Sequence, residues 1–301
     1  MTLKIGIIGE TGQLARALKS CCLEQHLEAT TLNRSQLDLN HSDKEITEAL
    51  ASFDSVDAII NAAAYTAVDN AETDQEIAYQ VNANSVKSIA QYCKNKDKAF
   101  IHISTDYVFN GQSQTPYKPS DPTDPLAVYG QSKLQGENFI REINGPHVIL
   151  RTSWVYDGTG KNFMTTMLRL AKERDSLNVV NDQLGRPTYA KDLALACLAA
   201  IKPLLNAPQS HSGTYHVSNT GTVISWADFA TAIFDAAKSH LPHAVTVTGI
   251  PSSEYPTPAK RPSYSAMDVS SFEIQFKTTL PDWPSGLERA MLEWEKLNDK
   301  R

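Results

Sequence analysis

Two tyrosines in the 301-residue chain stand four residues ahead of a lysine: Tyr92-Cys-Lys-Asn-Lys96 and Tyr129-Gly-Gln-Ser-Lys133. On a helix such residues share a face, so the phenol acts as a general acid while the ammonium lowers its pKa and holds a ribose hydroxyl. A free tyrosine titrates near pH ~10, and bringing it close to neutrality takes roughly 4 kcal/mol of preferential phenolate stabilisation. Position separates the two pairs. Tyr92 closes a helix that leads into the apolar run starting at Ala99, so it belongs near the amino end of that strand, where Lys94, Lys96 and Lys98 read as a solvated helix C-terminus. Tyr129 opens the helix that follows HISTDYVFNG (102–111), where the same run surfaces in Ser104, Thr105, Asp106 and Tyr107. Tyr129 and Lys133 are therefore the candidate pair.

A glycine loop supplies the second chemical signal. Gly6-x-x-Gly9-x-x-Gly12 fits a loose pattern, but Ile7 and Ile8 continue a strand, so the working register is Gly9-Glu-Thr-Gly12-Gln-Leu-Ala15. Gly9 then makes the turn, Gly12 lets the backbone approach a pyrophosphate, and Ala15 takes the place of the third glycine. The phosphates would rest on the N-terminus of a helix starting near Gln13. A turn that merely packs a helix on a strand reads the same way. At the end of the second strand, Leu32-Asn33-Arg34-Ser35 lacks the acid that binds a ribose 2′-hydroxyl and offers Arg34 for a 2′-phosphate, which favours NADPH and leaves NADH open. Asp38 and Leu39 are placed to touch the adenine, or Asp38 is an exposed loop acid. Ala62, Ala63 and Ala64 end the third strand in small residues, against which a flat ligand or a helix could lie closely.

These pieces need a scaffold. Apolar runs at 4–8, 29–32, 58–64, 99–103 and 148–154 alternate with helical patterns at 13–23, 43–51, 76–94 and 131–142. Such alternation builds right-handed βαβ units. The expected fold is α/β, a Rossmann-like doubly wound parallel sheet whose ligand crevice lies at the carboxyl ends of the strands. Beyond Trp154 the pattern changes to helices at 163–173, 191–201 and 226–239 with short strands at 178–181 and 215–217, then an irregular stretch containing Pro251, Pro256, Pro258 and Pro262. This is a smaller α/β lobe, with the chain crossing back to the sheet around 187–220.

Composition narrows the classes. A hydrophobic content of 41% in 301 residues supports a large core, and a net charge of −6 argues against a nucleic-acid binder. Cys21, Cys22, Cys93 and Cys197 form no CxxC pair, so neither a disulfide framework nor a zinc site is expected. No window of about 18 apolar residues suggests a membrane span, and MTLKIGIIGE is too short an apolar run for a signal peptide. A cytoplasmic protein is expected.

Gly9-x-x-Gly12-x-x-Ala15, Asn61-Ala-Ala-Ala64, Ser104-Thr-Asp-Tyr-Val-Phe109 and Tyr129-x-x-x-Lys133 together resemble the extended short-chain dehydrogenases/reductases. Over nearly the whole chain, NAAAYTAVDNAE (61–72), STDYVFNG (104–111), RTSWVY (151–156), NFMTTMLRLAKE (162–173), NDQLGRPT (181–188) and YPTPAKRP (255–262) are similar to the dTDP-4-dehydrorhamnose reductases. The resemblance implies reduction of the 4-keto group of a dTDP-6-deoxyhexulose by NADPH or NADH, the last step of dTDP-L-rhamnose synthesis. It implies a catalytic trio of Thr105, Tyr129 and Lys133, sugar-nucleotide contacts from Asp106 and Trp154, and cofactor contacts from Gly12, Gln13, Leu14, Asp38, Leu39 and Ala62–Ala64. Ser104 and Tyr107 are then structural. A dianionic substrate needs cations, for which Arg186, Lys260 and Arg261 are the candidates. Residues 1–156 and 187–220 would form the dinucleotide-binding domain, and 157–186 with 221–301 the sugar-nucleotide lobe.

Some relatives in that family dimerise through magnesium held by glutamates, yet the matching positions here are Ala17, Lys191 and Glu293. The expectation is no required metal and a monomer or weak homodimer. Two other readings remain: a related nucleotide-sugar reductase or epimerase with the same trio, and a non-catalytic regulatory subunit on the same fold.

Overall fold

The computed structural model describes residues 2–298. Strands β1 (Lys4–Ile8), β2 (Glu28–Leu32), β3 (Ala58–Asn61), β4 (Ala99–Thr105) and β5 (His147–Thr152) pair in parallel, and the Gly213–His216 strand adds to the outer side of β5. Across the sheet the order is Gly213–His216, β5, β4, β3, β1, β2. The strands are apolar for a simple reason: β3 and β5 are buried along their whole length, covered on both faces, so no polar alternation survives.

Helices α1 (Gln13–Glu24) and α7 (Ala190–Asn206) cover one face, where Leu18 and Ile201 pack on Ile5, Ile60 and Ile101. On the other face α2 (Asp43–Leu50), α4 (Ser85–Asn95) and α5 (Val128–Ile143) enclose Phe53, Ile59, Ile89, Phe100 and Ile149. Gly6 lies inside β1, and a Cβ there would stand 2.9 Å from the Phe53 ring, so this glycine makes room for the core and belongs to no phosphate loop. The chain runs from β1 to β2 on one side and then passes back beyond β1 to β3. Strand order therefore reverses between β1 and β3, which opens a crevice at their carboxyl ends.

The single helix expected over 76–94 is three pieces: α3 (Gln75–Tyr79), a π-helical turn at Gln80–Asn84, and α4. Tertiary contacts cause the interruption. Buried Asn82 accepts a hydrogen bond from the Tyr65 amide (2.9 Å) and donates to the Tyr65 carbonyl (3.1 Å) and Ser132 Oγ (3.0 Å). The third strand also stops at Asn61, short of the expected Ala64, because Ala62–Ala64 turn away to line the crevice.

A second core forms beyond β5. Helix α6 (Phe163–Leu170) and the Trp226–Ala236 helix bury Met164, Leu168, Phe229 and Ile233 against Leu177 and Val179. Strands Ser176–Val180 and Thr246–Ile250 pair in parallel beneath them. The proline-rich stretch holds one short turn, Ser252–Glu254. Two helices follow that the sequence pattern does not disclose. Ser270–Phe276 sends Phe272 and Phe276 into the core of the main sheet, and Trp283–Asn298 sends Leu287 and Met291 into that of the lobe.

Candidate active site

A cleft of about 1120 Å³ lies at the carboxyl ends of β1, β3 and β4. Its floor is the glycine loop. Gly9 has φ +107°, a conformation that side chains resist, and turns the chain from β1 into α1. Gly12 is the N-cap of α1 yet makes no side-chain cap, and a Cβ placed on it meets no atom within 4 Å. The first turn of α1 contains no acid. Three helices carry capping boxes, at Ser42, Asn162 and Ser225, while α1, α5 and α7 start without a side-chain cap. At α1 the amide groups and the positive end of the dipole face open space instead, which suits a diphosphate. Gln13 and Leu14 continue this floor, Ala62, Ala63 and Ala64 form one wall, and Arg34, Asp38 and Leu39 stand at the far end. Arg34 is mostly exposed and its Nε donates to Asp38 at 3.2 Å. The residues present thus fit a dinucleotide.

Thr105, Asp106, Tyr129, Lys133 and Trp154 line the opposite end of the same cleft. Thr105 closes β4, where its Oγ1 donates to Asp106 Oδ1 (3.0 Å) and accepts from the Tyr107 amide (3.2 Å). Thr105 and Tyr129 line this end together, and the Thr105 hydroxyl favours the charged form of the phenol. Burial, aided by the Asp106 charge and opposed by Thr105, pushes the Tyr129 phenol up to about 12. Asp106 is buried, and its Oδ2 has no hydrogen-bond partner among the described residues. Burial raises this carboxyl to about 6, against hydrogen bonds from Ser265 and Thr105 that favour its charge.

Lys133 differs from the expected geometry. Its Nζ donates to the Ile103 carbonyl at 2.6 Å and lies 3.2 Å from His102 Nε2, and burial pulls it down to about 8. Tyr129 is thus shifted upward by burial, where the i+4 spacing predicted a phenol lowered by the ammonium. The Asn61 amide stands 3.4 Å from His102 Nδ1, so Asn61, His102 and Lys133 form a buried chain from β3 through β4 to α5. Sequence reasoning passed over His102 and Asn82. The available signal was parity: on β4, His102 and Ser104 share a face, and they meet Lys133 and Glu137, which share a face of α5.

The remaining predicted residues separate clearly. Trp154, at φ +50°, stacks on Trp226 with ring centroids 3.6 Å apart, making an aromatic wall between sheet and lobe. Ser104 Oγ donates to Glu137 at 2.5 Å, a carboxylate also held in a two-pronged ion pair by Arg151. Tyr107 packs edge-on against Tyr129. Arg186 and Arg261 are absent from the cleft lining. Arg261 is paired with Asp69 at 2.8 Å, while Arg186 donates one Nη to the Met267 carbonyl and keeps a buried Nε without a partner. Tyr92 donates to Asp54 at 2.6 Å and Lys96 pairs with the same carboxylate, away from the cleft. Lys191 pairs with Glu24 at 2.7 Å, and Glu293 accepts from Tyr189. Among the described residues no group of three or more His, Cys, Asp or Glu side chains is arranged to hold a metal ion, and no helix is long and apolar enough to cross a membrane.

Residues 3–295 match the RmlD substrate binding domain family. The chain belongs to that family. The dTDP-4-dehydrorhamnose reductase of Escherichia coli (strain K12) is 46% identical over 239 residues, 79% of either chain. That of Salmonella typhimurium is 41% identical over 295 residues, 97% of this chain and 98% of its own. Among solved structures, the dTDP-4-dehydrorhamnose reductase of Clostridium acetobutylicum superposes with a TM-score of 0.89 at 34% identity, covering 97% of this chain and 100% of that one. The Bacillus anthracis reductase, in complex with NADP, gives 0.87 at 34% identity with the same coverage. A UDP-glucose 4-epimerase at 16% identity and a TM-score of 0.80 shares the fold. In this member of the RmlD family the glycine loop and the side chains of Thr105 and Tyr129 thus line one cleft.

Proposed function

We propose that the protein is an NADPH-dependent oxidoreductase, with NADH as a second cofactor. It reduces the 4-keto group of dTDP-4-dehydro-6-deoxy-L-mannose to dTDP-L-rhamnose in the last step of dTDP-rhamnose biosynthesis. The observation that carries this reading is that Thr105, Tyr129 and Lys133 line the same cleft as the glycine loop and the open start of α1. When bound there, the dinucleotide supplies the hydride.

The chain's own residues do the rest. Tyr129, with its phenol at about 12, is protonated at neutral pH and donates its proton to the ketone oxygen as charge develops. Thr105 Oγ1, already beside the phenol, hydrogen-bonds that same oxygen. Lys133, still largely charged at neutral pH, holds a cofactor ribose hydroxyl. The unpartnered Asp106 Oδ2 accepts a sugar hydroxyl, and Trp154 lies against the sugar ring. Arg186, with its free Nε, is the better candidate for the diphosphate, and Arg261 joins it by exchanging Asp69 for the ligand. The sheet domain, 1–156 with 187–220, binds the dinucleotide, and 157–186 with 221–301 forms the sugar-nucleotide lobe, with 270–276 returning to brace the sheet. The protein acts in the cytoplasm as a monomer or weak homodimer that needs no metal.

The test mixes protein, NADPH and enzymatically prepared keto-sugar nucleotide and follows NADPH absorbance. Stoichiometric loss with formation of dTDP-L-rhamnose is expected. Tightly bound NAD that copurifies, with no net NADPH consumption, replaces this reading with an epimerase. Absence of any dinucleotide chemistry replaces it with a non-catalytic subunit.

A further inference from the structure

The turn after β2 contains a carboxylate that β2 itself does not encode. In dinucleotide folds an acid at this strand end receives the ribose 2′-hydroxyl, and an arginine there accommodates a 2′-phosphate. Residues 32–35 hold only the arginine. Yet Glu10, from the glycine loop, crosses to this place: its Oε2 accepts from Asn33 Nδ2 at 3.2 Å. Asn33 is itself fixed, because its Oδ1 accepts from Ser35 Oγ (2.7 Å) and from the amides of Ser35 and Gln36. Glu10, Asn33, Arg34 and Ser35 all line the cleft. The other nearby acid, Asp38, is engaged by Arg34. Lys19 Nζ, 3.4 Å from Glu10 Oε1, partly offsets the charge of Glu10.

We propose that Glu10 determines the choice between the two nicotinamide dinucleotides, its carboxylate accepting the adenosine 2′-hydroxyl of NADH and repelling the 2′-phosphate of NADPH against the pull of Arg34. The inference rests on the oxidoreductase reading above. Glu10 and Arg34 make opposite demands on one ribose position, so the wild-type protein binds both dinucleotides, and each side chain shifts the balance in its own direction. Asn33 holds the carboxylate at the strand end, and Lys19 weakens its repulsion.

The test is isothermal titration of the whole chain with NADPH and NADH, without sugar nucleotide. Glu10→Gln is expected to tighten NADPH about fivefold and weaken NADH about threefold, an effect of a screened charge near the surface that shrinks at high salt. Arg34→Ala is expected to weaken NADPH alone. Lys19→Met keeps the carboxylate but removes its partner, so NADPH should weaken about threefold while NADH stays constant. An unchanged NADPH-to-NADH ratio in Glu10→Gln, or an equal shift of both, overturns the inference and leaves the oxidoreductase reading standing. Wild-type protein that binds neither dinucleotide overturns both.

Discussion

His102 Nε2 lies 3.2 Å from Lys133 Nζ, and both side chains are buried. Burial drives the imidazole well below its usual range, so His102 is neutral with one acceptor nitrogen, and the tautomer protonated on Nδ1 turns its Nε2 lone pair to the ammonium. With the Ile103 carbonyl it holds the Lys133 ammonium in place. Lys133 titrates near 8, so turnover is expected to fall on the alkaline side as that proton is lost. In His102→Leu the ammonium loses an acceptor. The alkaline limb of kcat should move towards neutral pH and kcat at pH 7 should drop about tenfold, at constant KM for the sugar nucleotide. A pH–rate profile checks this, and an unmoved limb would mean that His102 only fills space.

The two tyrosine–lysine pairs are tested against each other. Tyr129→Phe removes the proposed proton donor and should cost about 10²- to 10⁴-fold in kcat. Tyr92→Phe removes only the hydrogen bond to Asp54. Its kcat should match the wild type while unfolding free energy falls by about 1 kcal/mol. Steady-state kinetics and urea melts distinguish the outcomes, and wild-type turnover in Tyr129→Phe would sink the mechanism.

Asp106 trades stability for binding. Its carboxyl titrates near 6 in the fold and near ~3.9 in an unfolded chain. Between those values the folded state holds the extra proton, so this residue's contribution to stability falls as pH rises through that window and stays lost above it. Asp106→Asn should therefore raise the melting temperature at pH 7.5 more than at pH 4, while KM for the sugar nucleotide rises. Thermal melts at the two pH values check the sign; equal shifts would contradict it.

Gly130 sets how closely the start of α5 approaches the Asp106–Val108 turn that follows β4. A Cβ there would stand 2.2 Å from the Tyr107 carbonyl oxygen, a backbone atom that cannot swing aside. Gly130→Ala should push the first turn of α5 outward and carry Tyr129 with it. The expected result is a loss of about 1–3 kcal/mol in stability together with a kcat reduced more than KM is changed, measured by denaturant melts and kinetics.

Much of the sheet is legible in the sequence because its strands are buried on both faces. The apolar run at 4–8 predicts β1 over the residues that form it, and the run from Ala99 predicts β4. The π-helical turn is not legible. Residues 76–94 have good helical periodicity, and only the approach of Ser132 and the Tyr65 backbone to Asn82 interrupts it. The Ser270–Phe276 helix has only seven residues, too few for a full apolar stripe, and the 16-residue Trp283–Asn298 helix, whose stripe is Leu287, Ala290 and Met291, follows a stretch whose prolines read as irregular.

The sequence alone determined the residue types and spacings that local rules can read: a glycine at the positive-φ turn, an open helix start, a strand ending in Thr105 and Asp106, and Tyr129 four residues before Lys133. Tertiary structure decided what those groups face. It set Lys133 against His102 and Ile103, tied Arg261 to Asp69, left Asp106 Oδ2 unpaired, and brought Glu10 to Asn33 across the gap between glycine loop and β2. The physical reason is that hydrogen bonds and charges act over a few ångströms of space, while the chain brings together at that range residues separated by tens or hundreds of positions in sequence.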